Sequence, residues 1–484
     1  MTENKIYPQL RKLTGKKELS AFGKYLSKNY RKHTTAIALF RYIRGFQPHY
    51  LDKKLETGVV LNEIKQKIGS KRKISRITIL NAYSDLNLWL KEFLIHQKAN
   101  RDSLHGNLLW LEILLERSLQ SEGVKQVNAL RGQMEAMEEK GVDLYFKKLF
   151  VSYLDYYKIP KNTSSETYLT LQTCLSDLKA LEALLHLRLA CEMRNREKLS
   201  QVQNTVKGDS VSPIPANGYD SSFLVSNPLI HAYVEIYQMI VEKDDNSKAA
   251  KHFEKALKLV KLNSKTLPLE DKYAILTYLE NYVINQINNG KNEYLRKAHD
   301  LHLLGEKMKV YTLKDIMDEV QYLNIALVAC RNKKFIWAEK FIEDHITKID
   351  ERERDSILSI ARAMMAFWQK KYEDVLNIIN AYASDNDIKY AVRSKPFFLA
   401  CQYELHIDKN DEFIISICNA FEKQISRQKA IKSSIISGLL SFSQILKKLA
   451  KKNASKELIL KEINSKKSLV LKDWLLEKAA AYQQ

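Results

Sequence analysis

The stretch NKKFIWAEKFIEDHITKID, residues 332–350, decides how this chain folds. Read alone, it is one amphipathic helix: Phe335, Ala338 and Ile342 fall at i, i+3 and i+7, one face of a 3.6-residue period. The pattern then returns. KKYEDVLNII carries Tyr372, Val375 and Ile379, and DEFIISICNA carries Phe413, Ser416 and Ala420, at spacings of 37 and 41 residues. Upstream, NSKAAKHFEKAL offers Ala250, Phe253, Ala256 and Leu257, and EYLRKAHDL offers Leu295 and Ala298. A helical hairpin cannot bury both apolar faces by itself. Stacking hairpins closes the core, and a small residue inside each unit lets neighbouring helices approach. The quoted stretch is therefore expected to be the second helix of a hairpin whose first helix is LKDIMDEVQYLNIALVACRN. Residues 229–484 read as tetratricopeptide-like (TPR-like) helical repeats, with KDWLLEK around Trp474 as a capping helix. An irregular helical bundle is the alternative. Ala250, Ala298, Ala338 and Val375 are the expected repeat-packing positions.

Composition agrees with an all-α chain. Only 14 glycines and 8 prolines occur in 484 residues, and these are the residues that loops need and helices avoid. Three of the prolines (Pro213, Pro215, Pro228) and two glycines (Gly208, Gly218) gather in residues 206–228, which reads as a loop between a helical segment, 101–205, and the repeats. Within 101–205, Thr163 or Ser164 followed closely by Glu166 is a capping-box pattern. The five cysteines are scattered, so buried free thiols in a reducing cytoplasm are expected rather than disulfides or a zinc site. The N-terminus has no apolar leader pattern. The longest uncharged run, SSIISGLLSFSQIL, has 14 residues and four serines, too short and too polar to span a bilayer, so no membrane association is expected.

The net charge of +21 is unevenly placed. Residues 1–100 hold 21 Lys+Arg against 7 Asp+Glu, residues 101–421 hold 43 against 45, and residues 422–467 hold 12 against 3. Concentrated charge suits a polyanion or an acidic partner, although a solvated Lys-rich face gives the same count. The first hundred residues form a basic helical module. Leu61, Ile64 and Ile68 lie on one helix, Gly69 and Ser70 break it, and Ile79, Tyr83, Leu86, Leu90, Phe93 and Leu94 lie on a longer one, the outline of a helix-turn-helix. Lys71, Arg72, Lys73 and Arg76 cluster at the start of that second helix and are candidate anion-binding residues.

Several of these stretches also resemble a known group. LRKLTGKKELSAFGKYL, NPLIHAYVEIYQMI, LENYVINQINNGKNEYLRKAHDLHLLG, FIWAEKFIEDH and KDWLLEKAAA are similar to a family of uncharacterised bacterial proteins with TPR-like helices. The resemblance runs over nearly the whole chain, yet its motifs are packing motifs. It implies the repeat fold and a bacterial cytoplasmic setting, and it brings no catalytic residues with it.

No phosphate-cradling, dinucleotide-binding, zinc-protease or serine-hydrolase motif occurs. His299, His302 and Glu306 fall at i, i+3 and i+7 and could share a divalent metal, but Gly305 weakens the helix there and no fourth ligand is in sight. Acidic residues such as Glu135, Glu138 and Glu139 alternate with basic ones and read as solvated faces. LYFKKLFVSYLDYYK, 144–158, sets six aromatics beside lysines. Such a pattern can stack bases, though core packing with snorkelling lysines is the commoner use. The expectation is a non-enzymatic scaffold, without cofactor or metal, that binds a protein or peptide partner. The alternative is a nucleic-acid-binding regulator acting through residues 1–100.

Overall fold

The structure is a computed structural model that describes residues 6–11, 15–47, 50, 53–69, 74–101, 103–199, 219–242, 246–313, 316–382, 388–406, 411–427, 433–452, 454–466 and 469–482. Among the described residues every regular element is helical. None of these helices is long and apolar enough to cross a membrane. The chain divides into two compact units. The first comprises residues 1–137 with 148–174, the second 138–147 with 175–484.

The first unit opens with α1 (Ile6–Arg11), α2 (Gly15–Asn29), α3 (Thr34–Ile43), α4 (Thr57–Ile68) and α5 (Arg76–Arg101). Phe22 of α2 meets Phe40 of α3 and Phe93 of α5, with ring centroids 5.1 and 5.3 Å apart. Leu26, Leu39, Ile43, Leu86 and Leu90 are fully buried around them, and one continuous core runs from Ile6 to Phe93. Each such side chain contributes about 1.5–3 kcal/mol by leaving water. The helix–glycine–helix outline is present: α4 ends at Gly69, whose φ of 86° is the left-handed conformation that stops a helix. Ser75 caps α5, its hydroxyl accepting from the Thr78 N–H at 3.2 Å while the Thr78 hydroxyl accepts from the Ser75 N–H. Two helices follow, α6 (Ser103–Glu116) packed on α5, and α7 (Gln120–Ala136) packed on α6.

Helices α8 (Val142–Lys158) and α9 (Ser164–Leu199) come next. The capping box is where the sequence places it. Thr163 accepts the Glu166 N–H at 3.1 Å, and the Glu166 carboxylate accepts the Asn162 N–H at 3.0 Å.

In the second unit, the stretch read as a loop ends in a helix. Residues 206–218 lie outside the described residues, but α10 (Ser221–Ser226) forms under an Asp220 cap that accepts the Phe223 N–H at 2.7 Å. Pro228 is then the first residue of α11 (Pro228–Val241), where its missing N–H costs nothing. After it come α12 (Asn246–Leu262), α13 (Leu269–Asn288), α14 (Tyr294–Lys307), α15 (Glu319–Arg331), α16 (Phe335–His345), α17 (Arg354–Trp368), α18 (Tyr372–Tyr382), α19 (Ile388–His406), α20 (Asp411–Ser426), α21 (Ser433–Lys451), α22 (Lys456–Ser465) and α23 (Lys472–Ala480). The opening quotation is α16 followed by a 3₁₀ turn over Ile346–Lys348. The helix before it starts six residues later than Leu313, at Glu319, because the Asp318 side chain caps there and accepts from Val320 N–H and Gln321 N–H.

All five recurrent stretches are even-numbered helices, α12, α14, α16, α18 and α20. Each packs on the odd-numbered helix before it, and most odd-numbered helices also pack on the next odd one: α11 on α13, α15 on α17, α17 on α19, α19 on α21. The turns inside three of these pairs are alike. Gly290, Lys333 and Lys370 all have φ between 57° and 89°. The N–H of the following residue donates to the carbonyl five residues back, that of Gln286, Ala329 and Ala366 respectively, at 3.1, 2.9 and 3.0 Å. That is the Schellman closure of a helix end.

Candidate interaction surfaces

Of the anion-binding candidates, Lys71, Arg72 and Lys73 lie outside the described residues. Arg76 is the first residue of α5 and is exposed. Beyond it α5 exposes polar residues, among them Asn81, Ser84 and Lys91, together with a set of aliphatic ones. Ile77, Leu80, Leu88 and Ile95 are 69, 46, 52 and 60% exposed. At 100° per residue these four fall within one narrow face, about 27 Å long. Its opposite face supplies Ile79, Tyr83, Leu86, Leu90 and Phe93 to the core. Sequence reading had found that inner stripe together with Leu94, which is exposed, and had missed the outer one. On α6, Leu109, Trp110 and Ile113 are exposed as well.

The aromatic stretch of α8 corrects the core reading. Tyr145, Val151 and Leu154 are buried, but Phe150, Tyr153 and Tyr157 are in solvent. Asp155 is buried on the inward side and neutralised by Arg131, at 2.9 Å, and by Lys161.

Among the packing positions, Ala298, Ala338 and Val375 are buried. Ala338 sits against Ala329 and Cys330 of α15, flanked by Phe335, Trp337, Met365 and Trp368. No larger side chain fits such a contact without parting the helices. Ala250 is only half-buried. The inward stripe of α12 is Ala249, Phe253, Ala256 and Val260: Phe253 and Ala256 are as read from the sequence, while Ala250 and Leu257 are half-buried beside it.

His299, His302 and Glu306 do not converge. His299 packs edge-on against Trp337 with centroids 5.0 Å apart, and Glu306 pairs with His345 at 2.8 Å. His302 faces Glu280 of α13, with Nε2 3.9 Å from the carboxylate. Among the described residues no group of three or more side chains could hold a metal. Desolvation instead keeps this interior neutral: it lifts the Glu280 carboxyl to about 7 and pushes the His302 ring down to about 3. The Tyr311 hydroxyl donates to Glu280 at 3.3 Å. Gly305 makes that possible, since a Cβ there would stand 2.7 Å from the same hydroxyl. The group ties α13 and α14 to the Val310–Thr312 turn.

A second polar hub holds the C-terminal helix. Glu404 of α19 accepts from Tyr372 at 3.0 Å, from Trp474 Nε1 at 2.7 Å and from Lys478 at 2.8 Å. Arg331 pairs with Asp473, and Lys370 with Glu477 at 3.2 Å. Trp474 is buried among Phe367, Tyr403 and Phe442.

Neither family models nor curated proteins nor solved structures give a match to this chain.

Proposed function

We propose that this protein is a non-enzymatic scaffold whose first unit docks an amphipathic helix of a partner protein, and whose second unit is a TPR-like stack of helical hairpins. The stack reading is supported by the pairwise and next-but-one packing of α11–α21 and by the recurring left-handed turns. The docking reading is carried by one observation, the uncovered apolar face of α5. Isolated exposed aliphatic residues need no explanation, but four on one helix face mark an interaction surface. A helix in an apolar seam with charged flanks is a recurring recognition mode. The partner helix is assigned acidic flanks because the module around α5 is strongly basic and complementary charge steers association.

The test places a photoreactive benzoylphenylalanine at Leu88 in the full-length protein. The expected result is one discrete adduct whose cross-linked peptide is an acid-flanked amphipathic helix. Ile77→Glu with Ile95→Glu, both outward-facing, lowers its yield about tenfold or more without moving the melting temperature. An adduct between two copies of the chain, or none above that from the same probe at exposed Lys258, overturns the reading.

A further inference from the structure

A second surface of the first unit is rimmed by cations and calls for a different ligand. Between α2 and α3 runs an open groove of about 570 Å³, lined by Ser20, Gly23, Lys24, Ser27, Lys28 and Arg31 on one side and Ile37, Phe40, Arg41 and Arg44 on the other. We propose that this groove binds the phosphodiester backbone of a nucleic acid, without reading its sequence.

The charge pattern carries the argument. The five cations, Lys24, Lys28, Arg31, Arg41 and Arg44, are all exposed, and no carboxylate lines the groove. None of the five is paired with a carboxylate among the described residues. Some cations elsewhere are neutralised, Lys447 by Glu422 at 2.8 Å, Lys448 by Glu462 at 2.6 Å and Arg393 by Glu319 at 2.7 Å, whereas here five unpaired ones share one groove. Five like charges on two facing walls repel one another, and an anion between them removes that cost.

Spacing favours a polymer over a single phosphate. Lys24 and Lys28 stand at i and i+4 on α2, and Arg31 lies in the turn that follows the helix. Arg41 and Arg44, at i and i+3, form the facing row on α3. Cations spread along both walls of the groove can meet successive phosphates of one strand, which a single phosphate ion cannot do. Guanidinium forks suit phosphate oxygens in a bidentate way.

The floor is closed to bases. Phe40 is buried, and Gly23 lies against it so tightly that a Cβ at 23 would come within 3.1 Å of the ring and 4.0 Å of Arg44 Nη1. With no exposed aromatic lining the groove, there is nothing for a base to stack on, so the contacts are to phosphate and position the strand without specifying it. An acidic peptide is less well matched, because protein interfaces are anchored by apolar or aromatic pockets that this groove lacks. A bilayer surface would likewise call for apolar side chains to insert.

The test is fluorescence anisotropy of the full-length protein with a labelled 20-base-pair duplex DNA and a 20-nucleotide uridine RNA, across a salt series from 50 mM upward. At least one probe is expected to bind with a log–log salt slope near −4, since each phosphate contact contributes about 0.9 on a duplex and about 0.7 on a single strand. Arg31→Ser, Arg41→Ser and Arg44→Ser together are expected to flatten that slope by 2 to 3 and to lower affinity at 50 mM salt by at least tenfold, with an unchanged helical circular-dichroism melt. Removing the same charge from exposed Lys251, Lys258 and Lys261 of α12 is the control, expected within twofold of the parent. Three results overturn the proposal: no binding tighter than about 10⁻⁴ M, equal losses in variant and control, or competition by polyglutamate as effective as that by nucleic acid, which assigns the groove to an acidic protein.

Discussion

Glu280 has a chemistry that its sequence context does not suggest. It sits in YLENYV, an unremarkable helical stretch, yet its carboxyl is buried and raised to about 7 from an ordinary 4.5. The folded state thus holds a proton between pH 4.5 and 7 that the unfolded state releases, and stability falls as pH rises through that window, by about 3 kcal/mol at most. His302 works the other way: its ring must stay neutral when buried, so stability is lost as pH falls below 6.5, down towards about 3. Glu280→Gln keeps an acceptor for the Tyr311 hydroxyl and removes the carboxyl. Its melting temperature is expected to exceed the parent's at pH 8 by several degrees and to approach it at pH 5. A constant difference across that range would mean the carboxyl is not the titrating group. No sequence signal foretold this. Burial of a polar side chain depends on which helices meet around it, here α13, α14 and the turn at Tyr311, and that is a tertiary fact.

Element identity was far more legible. Apolar period and low glycine content announced helices at α12, α14, α16, α18 and α20, because each carries its own inward stripe. Register was less so: Phe413, Ser416 and Ala420 of α20 are exposed while Ile414, Cys418 and Phe421 face in, and Ala249 rather than Ala250 is the inward residue of NSKAAK, where only packing separates two adjacent alanines. The outer stripe of α5 was visible in principle. RITILNAYSDLNLWLKEFLI is apolar on two faces, and a helix apolar on two faces has more to cover than one core. The groove of α2 and α3 was not visible, because its five cations lie on two separate helices. The turns carry their own lesson. Lys333 and Lys370 occupy left-handed positions where Gly290 stands in the equivalent turn, and a non-glycine residue there pays about 1–2 kcal/mol of strain. Replacing either lysine by glycine relieves it, partly offset by the freer unfolded chain. Lys333→Gly is expected to raise the urea midpoint by the equivalent of about 0.5 kcal/mol, and Lys370→Gly by less, because it also removes the exposed pair with Glu477. A lowered midpoint for both would show that the lysine side chains matter more than the backbone strain.

At the scale of the whole molecule, α11–α21 pair mainly with near neighbours in sequence, and α23 departs from that pattern. Through α11–α21 the main contacts are between chain neighbours and next-but-one neighbours, so a loss at one place should not propagate far. Helix α23 is the exception. Its residues reach Arg331 at the end of α15, Lys370 just after α17, Glu404 near the end of α19, and Phe442 of α21. It ties together the ends of helices that otherwise meet in sequence. Trp474 is its buried anchor, and Trp474→Ala removes the indole from Phe367, Tyr403 and Phe442 and one donor from Glu404, a change of about 3–5 kcal/mol for a buried aromatic. Hydrogen exchange followed helix by helix gives the signature. Faster exchange is expected through α15, α17, α19, α21 and α23, with α11 to α13 as protected as in the parent, because local opening follows contact. A uniform rise over all helices of the second unit would mean that it opens as one cooperative body, and the stacked-hairpin reading would fail with it.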